Sequence, residues 1–208
     1  GWGYNGYGQL GLNNTTSYKE PTYLGIDNAI DVAAGGNYTI VLKQDGTLWS
    51  WGQNNVGQLG LGNTTVYNEP QKITGITEKI IDVKTGYHHS IALTENGEVY
   101  TWGYNNYGQL GNGNKTNSAD PIKIDGLSNI VKVDSYKYIT LALTADGEVY
   151  VWGNGYGTTP VKLKFSRKII DIAGNIVLAE NRRAYNLAET MSYGKDLIKI
   201  SAGENHYL

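Results

Sequence analysis

"GWGYNGYGQLG", residues 1–11, holds two overlapping G-x-G-x-x-G matches, one starting at Gly1 and one at Gly6. A dinucleotide-binding loop of that form follows a parallel strand, opens a helix and occurs once. Here the stretch recurs, as WSWGQNNVGQLGLGN at 49–63 and YTWGYNNYGQLGNGN at 100–114. The Trp-Gly pair stands at Trp2, Trp51, Trp102 and Trp152, at spacings of 49, 51 and 50 residues. A steady period near 50 marks a repeat architecture. The glycines shape a recurring turn, and nucleotide binding is set aside.

The remainder of each unit keeps register. All four prolines head the same short segment, at Pro21, Pro70, Pro121 and Pro160. An apolar strand follows, at 29–35, 80–86, 130–135 and 169–174, and then a hairpin at 39–52, 90–103 and 140–153. Asp45-Gly46, Asn96-Gly97 and Asp146-Gly147 are dipeptides that favour tight hairpin turns, because glycine accepts positive φ. About four short strands per unit result, and no apolar pattern of helical period appears. In EVYTW (98–102), Val99 and Thr101 face one way and Tyr100 and Trp102 the other, with neither face strongly polar. Such a sheet needs neighbours on both sides, as stacked propeller blades provide. A buried Trp removes about 150–250 Å² from water, worth about 4–6 kcal/mol, so the Trp-Gly position reads as a core anchor.

The fold expected is therefore all-β, a β-propeller of four-stranded blades, present as an incomplete array of about four. Counted from Trp-Gly to Trp-Gly, the units cover about 1–51, 52–102 and 103–152, then a degenerate 153–187 and a truncated 188–208. Neither end supplies a hairpin matching 41–49, so the ring is not expected to close from this chain alone. Open blade edges then invite self-association. With no cysteine, disulfides and thiolate chemistry are excluded. A net charge of −2 offers no basic surface for nucleic acid, and no apolar run approaches the ~18 residues of a membrane span.

The pattern A-G-x-x-[HY]-T-x-x-L-x-x-D-G-x-[LV]-[YW]-x-W-G-x-N-x-x-G-Q-L-G, clearest at Ala34–Gly60 and Thr85–Gly111, resembles the repeat of the regulator of chromosome condensation family. That resemblance implies seven-bladed propellers with four strands per blade, and it leaves function open, since members range from an exchange factor to a photoreceptor, ubiquitin-ligase modules and an enzyme inhibitor. Kelch repeats share the period but centre on a double glycine, which this column shows only at Gly35-Gly36. Two departures stand out. The fourth unit has Asn186-Leu187-Ala188 in place of Trp-Gly, and the Gly-Gln-Leu-Gly loop is missing after Trp152.

Chemistry-bearing patterns are few. His88 and His89 are adjacent on a strand, so they point to opposite faces and do not share a metal. His89 shares a column with Tyr38, Ile139 and His206, which suggests a structural bond to a neighbouring blade. The acidic hairpin turns lack the EF-hand arrangement. The Asn-x-Thr matches at Asn13, Asn14, Asn37, Asn63 and Asn114 mostly fall in one copied loop, which explains them without glycosylation. No metal, cofactor or catalytic constellation is expected. The tyrosines, 17 in all, carry the functional expectation. Tyr4, Tyr7, Tyr104, Tyr107 and Tyr156 lie on or beside the loops after Trp-Gly, while Tyr38, Tyr87, His88 and Tyr138 lie in the variable loop after the A-G strand, with Glu204 and Asn205 in the same place further on. A repeated scaffold carrying changing aromatic side chains on one rim suits recognition of another protein. Inhibition of an enzyme, or a carbohydrate surface using the same tyrosines, are the alternatives. In the resembled photoreceptor a tryptophan cluster occupies the A-G loop face. That column here holds tyrosine, histidine and lysine, so photoreception is disfavoured. Abundant Asn, Lys, Ile and Tyr suit a protein exported to the surface or medium of an AT-rich bacterium, with cytoplasmic residence as the alternative.

Overall fold

The computed structural model describes residues 1–202. Four antiparallel sheets follow one another, each a simple meander. The first comprises β1 (Ala29–Ala34), β2 (Tyr38–Lys43), β3 (Leu48–Gly52) and β4 (Tyr67–Lys72). The second comprises β5 (Ile80–Thr85), β6 (His89–Thr94), β7 (Val99–Gly103) and β8 (Ser118–Lys123). The third comprises β9 (Ile130–Tyr136), β10 (Ile139–Thr144), β11 (Val149–Gly153) and β12 (Gly157–Leu163). The fourth, with shorter outer strands, comprises β13 (Ile169–Ala173), β14 (Ile176–Ala179), β15 (Ala184–Asn186) and β16 (Ser192–Tyr193). No helix occurs among the described residues. Units counted between Trp-Gly pairs are out of phase with these sheets, because Trp-Gly ends the third strand and the fourth strand follows it.

The hairpin turns use their glycines in a way the dipeptides only half announce. A two-residue I′ turn needs positive φ at both central residues. In the structure only Gly46, Gly97 and Gly147 are left-handed, with φ of 81°, 77° and 87°. Gly46 N–H donates to Lys43 C=O at 2.9 Å, and Lys43 N–H donates to Thr47 C=O at 3.0 Å. This is a type I turn closed by a glycine bulge, one residue longer than the I′ form.

The core lies between successive sheets. Ile40, Leu42 and Leu48 of the first pack on Ile80, Val83 and Trp102 of the second. Ile91, Leu93 and Val99 of the second pack on Val133, Ala142 and Trp152 of the third. Strands β6, β7 and β10 are buried along their whole length, as strands covered on both faces must be. The first strands of the sheets lie next to one another, and ion pairs link them. Lys84 Nζ lies 2.6 Å from Asp82 and 3.6 Å from Asp31, and Lys132 pairs with Asp171.

A polar joint repeats where the first loop meets the first sheet and at the next two interfaces. The main-chain carbonyl of Gln9 accepts from Trp51 Nε1 and Thr39 Oγ1, both at 2.8 Å. Gln58 C=O accepts from Trp102 Nε1 and Ser90 Oγ at 2.9 Å, and Gln109 C=O accepts from Trp152 Nε1 at 2.9 Å and Thr140 Oγ1 at 2.8 Å. The loop of one unit thus caps the indole of the next. Its closing glycine is required twice over. Gly60 and Gly111 have φ of 72° and 78°, and a Cβ there would come within 2.7 and 2.6 Å of the capped indole nitrogen. Trp51, Trp102 and Trp152 are buried as expected of anchors. Trp2 departs from that expectation. It is 63% exposed.

Candidate functional site

The loops that reach the rim are held from within. In the long loops that follow Trp-Gly in the first three units, a buried asparagine gathers the chain. Asn105 Oδ1 accepts from Leu110 N–H at 2.9 Å, and its Nδ2 donates to the carbonyls of Asn114 at 3.1 Å and Thr116 at 3.0 Å. Asn54 and Asn5 do the same in their own loops. The Asn-x-Thr tripeptides are the other end of this arrangement. Asn14, Asn63 and Asn114 each accept, through Oδ1, the N–H two residues on at 2.8–2.9 Å, an Asx turn. Local geometry accounts for the copied pattern.

The loops after the first strands are linked from sheet to sheet. Gly36 N–H donates to Tyr87 C=O at 3.1 Å, and Tyr87 N–H donates to Lys137 C=O at 3.2 Å. Tyr104 N–H donates to His88 C=O at 2.8 Å, which joins the two kinds of loop.

Five of the nine residues singled out from the sequence meet on this frame. Tyr138 is the hub, with ring centroids 4.9 Å from Tyr107, 5.3 Å from Tyr87 and 5.9 Å from Tyr104. Tyr104 lies 6.2 Å from Tyr107 and 6.4 Å from His88, both edge-on. These spacings are those of mutually packed aromatic rings. Tyr107 is 42% exposed, and the other four are half-buried. Burial pushes the Tyr138 phenol above its ordinary pKa, with Tyr104 and Tyr107 adding to the effect. Burial likewise holds His88 below the usual imidazole value, so at neutral pH the patch is uncharged and aromatic.

The remaining four residues lie elsewhere. Tyr4 and Tyr7, 63% and 39% exposed, sit on the equivalent loop of the first unit, outside this cluster. Tyr156 packs with Tyr136, Leu163 and Phe165 against the core between the third and fourth sheets. Tyr38 corrects the expectation, since it is buried and cannot present its ring to a partner. It opens β2 with its side chain inward, and its hydroxyl donates to His89 C=O at 2.6 Å. His89, in the same column, reaches the next sheet in turn. Its Nε2 lies 3.0 Å from Thr140 Oγ1, whose own proton goes to the Gln109 carbonyl, so Nε2 donates. Burial, and secondarily His88, lowers its pKa to about 3. Glu204, Asn205 and His206 lie outside the described residues. Among the described residues, no group of three His, Asp or Glu side chains is placed to hold a metal ion.

The family model described as the Regulator of chromosome condensation (RCC1) repeat matches residues 1–42, 45–93 and 96–143. A second model of that repeat matches 29–58, 80–109 and 130–157. The ultraviolet-B receptor UVR8 of Arabidopsis thaliana is 35% identical over 128 residues, 60% of this chain and 29% of the receptor. The human E3 ubiquitin-protein ligase HERC2 is 31% identical over 130 residues, 61% of this chain and 3% of the ligase. The chain therefore spans less than a third of either relative. Among solved structures, human WBSCR16 superposes with a TM-score of 0.81 at 22% identity, over 99% of this chain and 66% of that one. Yeast RCC1 (Prp20), solved bound to Kap60, gives a TM-score of 0.69 at 20% identity, over 91% and 55%. The stacked four-stranded sheets are propeller blades, and the chain belongs to the regulator of chromosome condensation repeat family.

Proposed function

We propose that the aromatic patch of Tyr87, His88, Tyr104, Tyr107 and Tyr138 is a docking surface for another protein, and that the chain acts by binding rather than by catalysis. The observation that carries this is the convergence of five rim residues, from two kinds of loop on two blades, into one partly exposed cluster. Tyrosine and histidine rings on a rigid frame offer large contact area at small entropic cost. The loops are braced by buried asparagines and interblade main-chain bonds, so little ordering remains to oppose association. Net charge of −2 and an uncharged patch favour a protein partner over nucleic acid. The solved complex of yeast RCC1 with Kap60 is consistent with protein recognition by this architecture. The relatives named above come from a plant and from humans, and a bacterial exported source rests on composition alone.

The test is capture of partners from the host lysate on the immobilised chain, followed by titration of the protein retained. Tyr107→Ala and Tyr138→Ala are each expected to weaken binding about thirtyfold, the ~2 kcal/mol of an interface hot spot. Tyr4→Ala should leave it unchanged. An affinity equal to wild type in the Tyr107→Ala, Tyr138→Ala double variant would overturn the proposal.

A further inference from the structure

The departures of the fourth unit leave a space beside the patch. In the first two sheets the third and fourth strands are joined by long loops, residues 53–66 and 104–117, whose Gly-Gln-Leu-Gly segments cover the next blade. In the third sheet the same link is only Asn154-Gly155-Tyr156. The turn between the first and second strands of the fourth sheet is also reduced, to Gly174-Asn175. Where the covering loop and its tryptophan would lie, there is a recess of about 370 Å³ between the third and fourth blades. That volume is at the small end of the range for small-molecule sites.

The chemistry of its lining is distinctive. Tyr136, Tyr138 and Tyr156 supply aromatic surface, Leu187 an apolar wall, and Asn154 and Asn175 amides. Among the described residues no carboxylate lines it, which argues against a cationic ligand. The one cation, Lys137, holds its ammonium over the Tyr136 ring at 5.2 Å, so its charge is already directed at protein. Among the described residues Asn175 Oδ1 is buried with no hydrogen-bond partner, and an unmet buried acceptor is costly to leave so. The terminal amide torsion is broad and soft, so a small turn can present that acceptor to a group entering the recess. Rings for an apolar C–H face, neutral amides and phenols for hydroxyls, and an acceptor in want of a donor together specify a neutral polyhydroxylated ligand.

We propose that this recess binds one hexopyranose unit of a neutral carbohydrate, stacked on Tyr156 and hydrogen-bonded to Asn154 and Asn175. The site is separate from the protein-docking patch, although Tyr138 borders both. The probes are the methyl glycosides of glucose, galactose, mannose and N-acetylglucosamine, offered singly to the whole chain and read by saturation-transfer NMR. Concentrations of about 10 mM suffice for the ~1 mM dissociation constant that −4 kcal/mol provides. At least one glycoside is expected to bind, and Tyr156→Ala and Asn175→Leu should each weaken it about tenfold. Asn175→Leu removes no internal bond of Oδ1, and Asn154→Ala at an exposed position gives a second variant that leaves the core intact. Tyr104→Ala should weaken protein binding about thirtyfold while glycoside binding persists, which keeps the two sites distinguishable. Silence of all four glycosides overturns the proposal, as does transfer unchanged in Tyr156→Ala. Loss of protein capture in Tyr156→Ala with no glycoside bound would instead make the recess a peptide subsite.

Discussion

His89 couples the interior to pH. In the unfolded chain an imidazole takes up a proton near pH 6.5, whereas the buried ring resists protonation down to about pH 3. Between those values the unfolded state binds more protons, so stability is full above pH 6.5 and falls as pH drops. Each pH unit in that window removes up to ~1.4 kcal/mol. Urea unfolding between pH 4 and pH 8 should show this slope, and His89→Gln should flatten it while costing stability at neutral pH. The tryptophans offer a second contrast. Trp102→Ala should cost about 3–5 kcal/mol through the cavity it leaves. Trp2→Ala should stay within ~0.5 kcal/mol, as exposed substitutions do. The two share a sequence column, but Trp102 is buried in a paired strand while Trp2 is exposed and outside any strand, a contrast that thermal melting of the two variants will read.

At the level of the element, each long loop after Trp-Gly is organised by one buried asparagine. Asn105→Ala strands Leu110 N–H and frees two carbonyls, so it should cost about 2–3 kcal/mol, against near-neutrality for the exposed Asn106→Ala. Denaturant midpoints will separate them. Because that loop carries Tyr104 and Tyr107, the same variant should also weaken partner binding. Strand order, hairpins and indole anchors were legible from the 50-residue period, because each unit is a single β-meander whose turn residues recur in register. The role of Asn105 was not, although Asn5 and Asn54 share its column, since an asparagine between glycines reads as a turn former. Tyr38 shows the limit of grouping residues by loop. Its column is that of His89, at the inward start of a second strand, and column alignment rather than loop membership predicts its burial. The meeting of Tyr104 and Tyr107 with Tyr138 depends on a loop leaning from one sheet onto the next, a displacement that no spacing within a unit encodes.

Across the whole molecule, apolar surface is left uncovered on the outer face of the first sheet. Trp2 and Val32 are exposed there, beside Leu24, Ile26 and Val41, around a hollow of about 460 Å³. Corresponding faces of the second and third sheets are buried against a neighbour. This face adds to the open blade edges as a place where self-association of the chain is expected. Light scattering behind a sizing column should show a mass that rises with concentration, and Val32→Glu should return it to that of a 22.7 kDa monomer.

The joint between a glutamine carbonyl and the following indole also has a genetic corollary. Any stretch running from one Trp-Gly to the next carries one accepting half and one donating half of the same bond. Unequal crossing-over between copies therefore adds or removes a stretch while leaving every remaining half matched, so array length can drift without passing through a broken intermediate. At the fourth sheet both halves are gone together, the loop with its glutamine and the tryptophan replaced by Leu187. A crossover that joins this copy to an intact one would leave an indole or a carbonyl without its partner, so selection acts against exchange there, and among the described boundaries the one between the third and fourth sheets keeps a shape of its own.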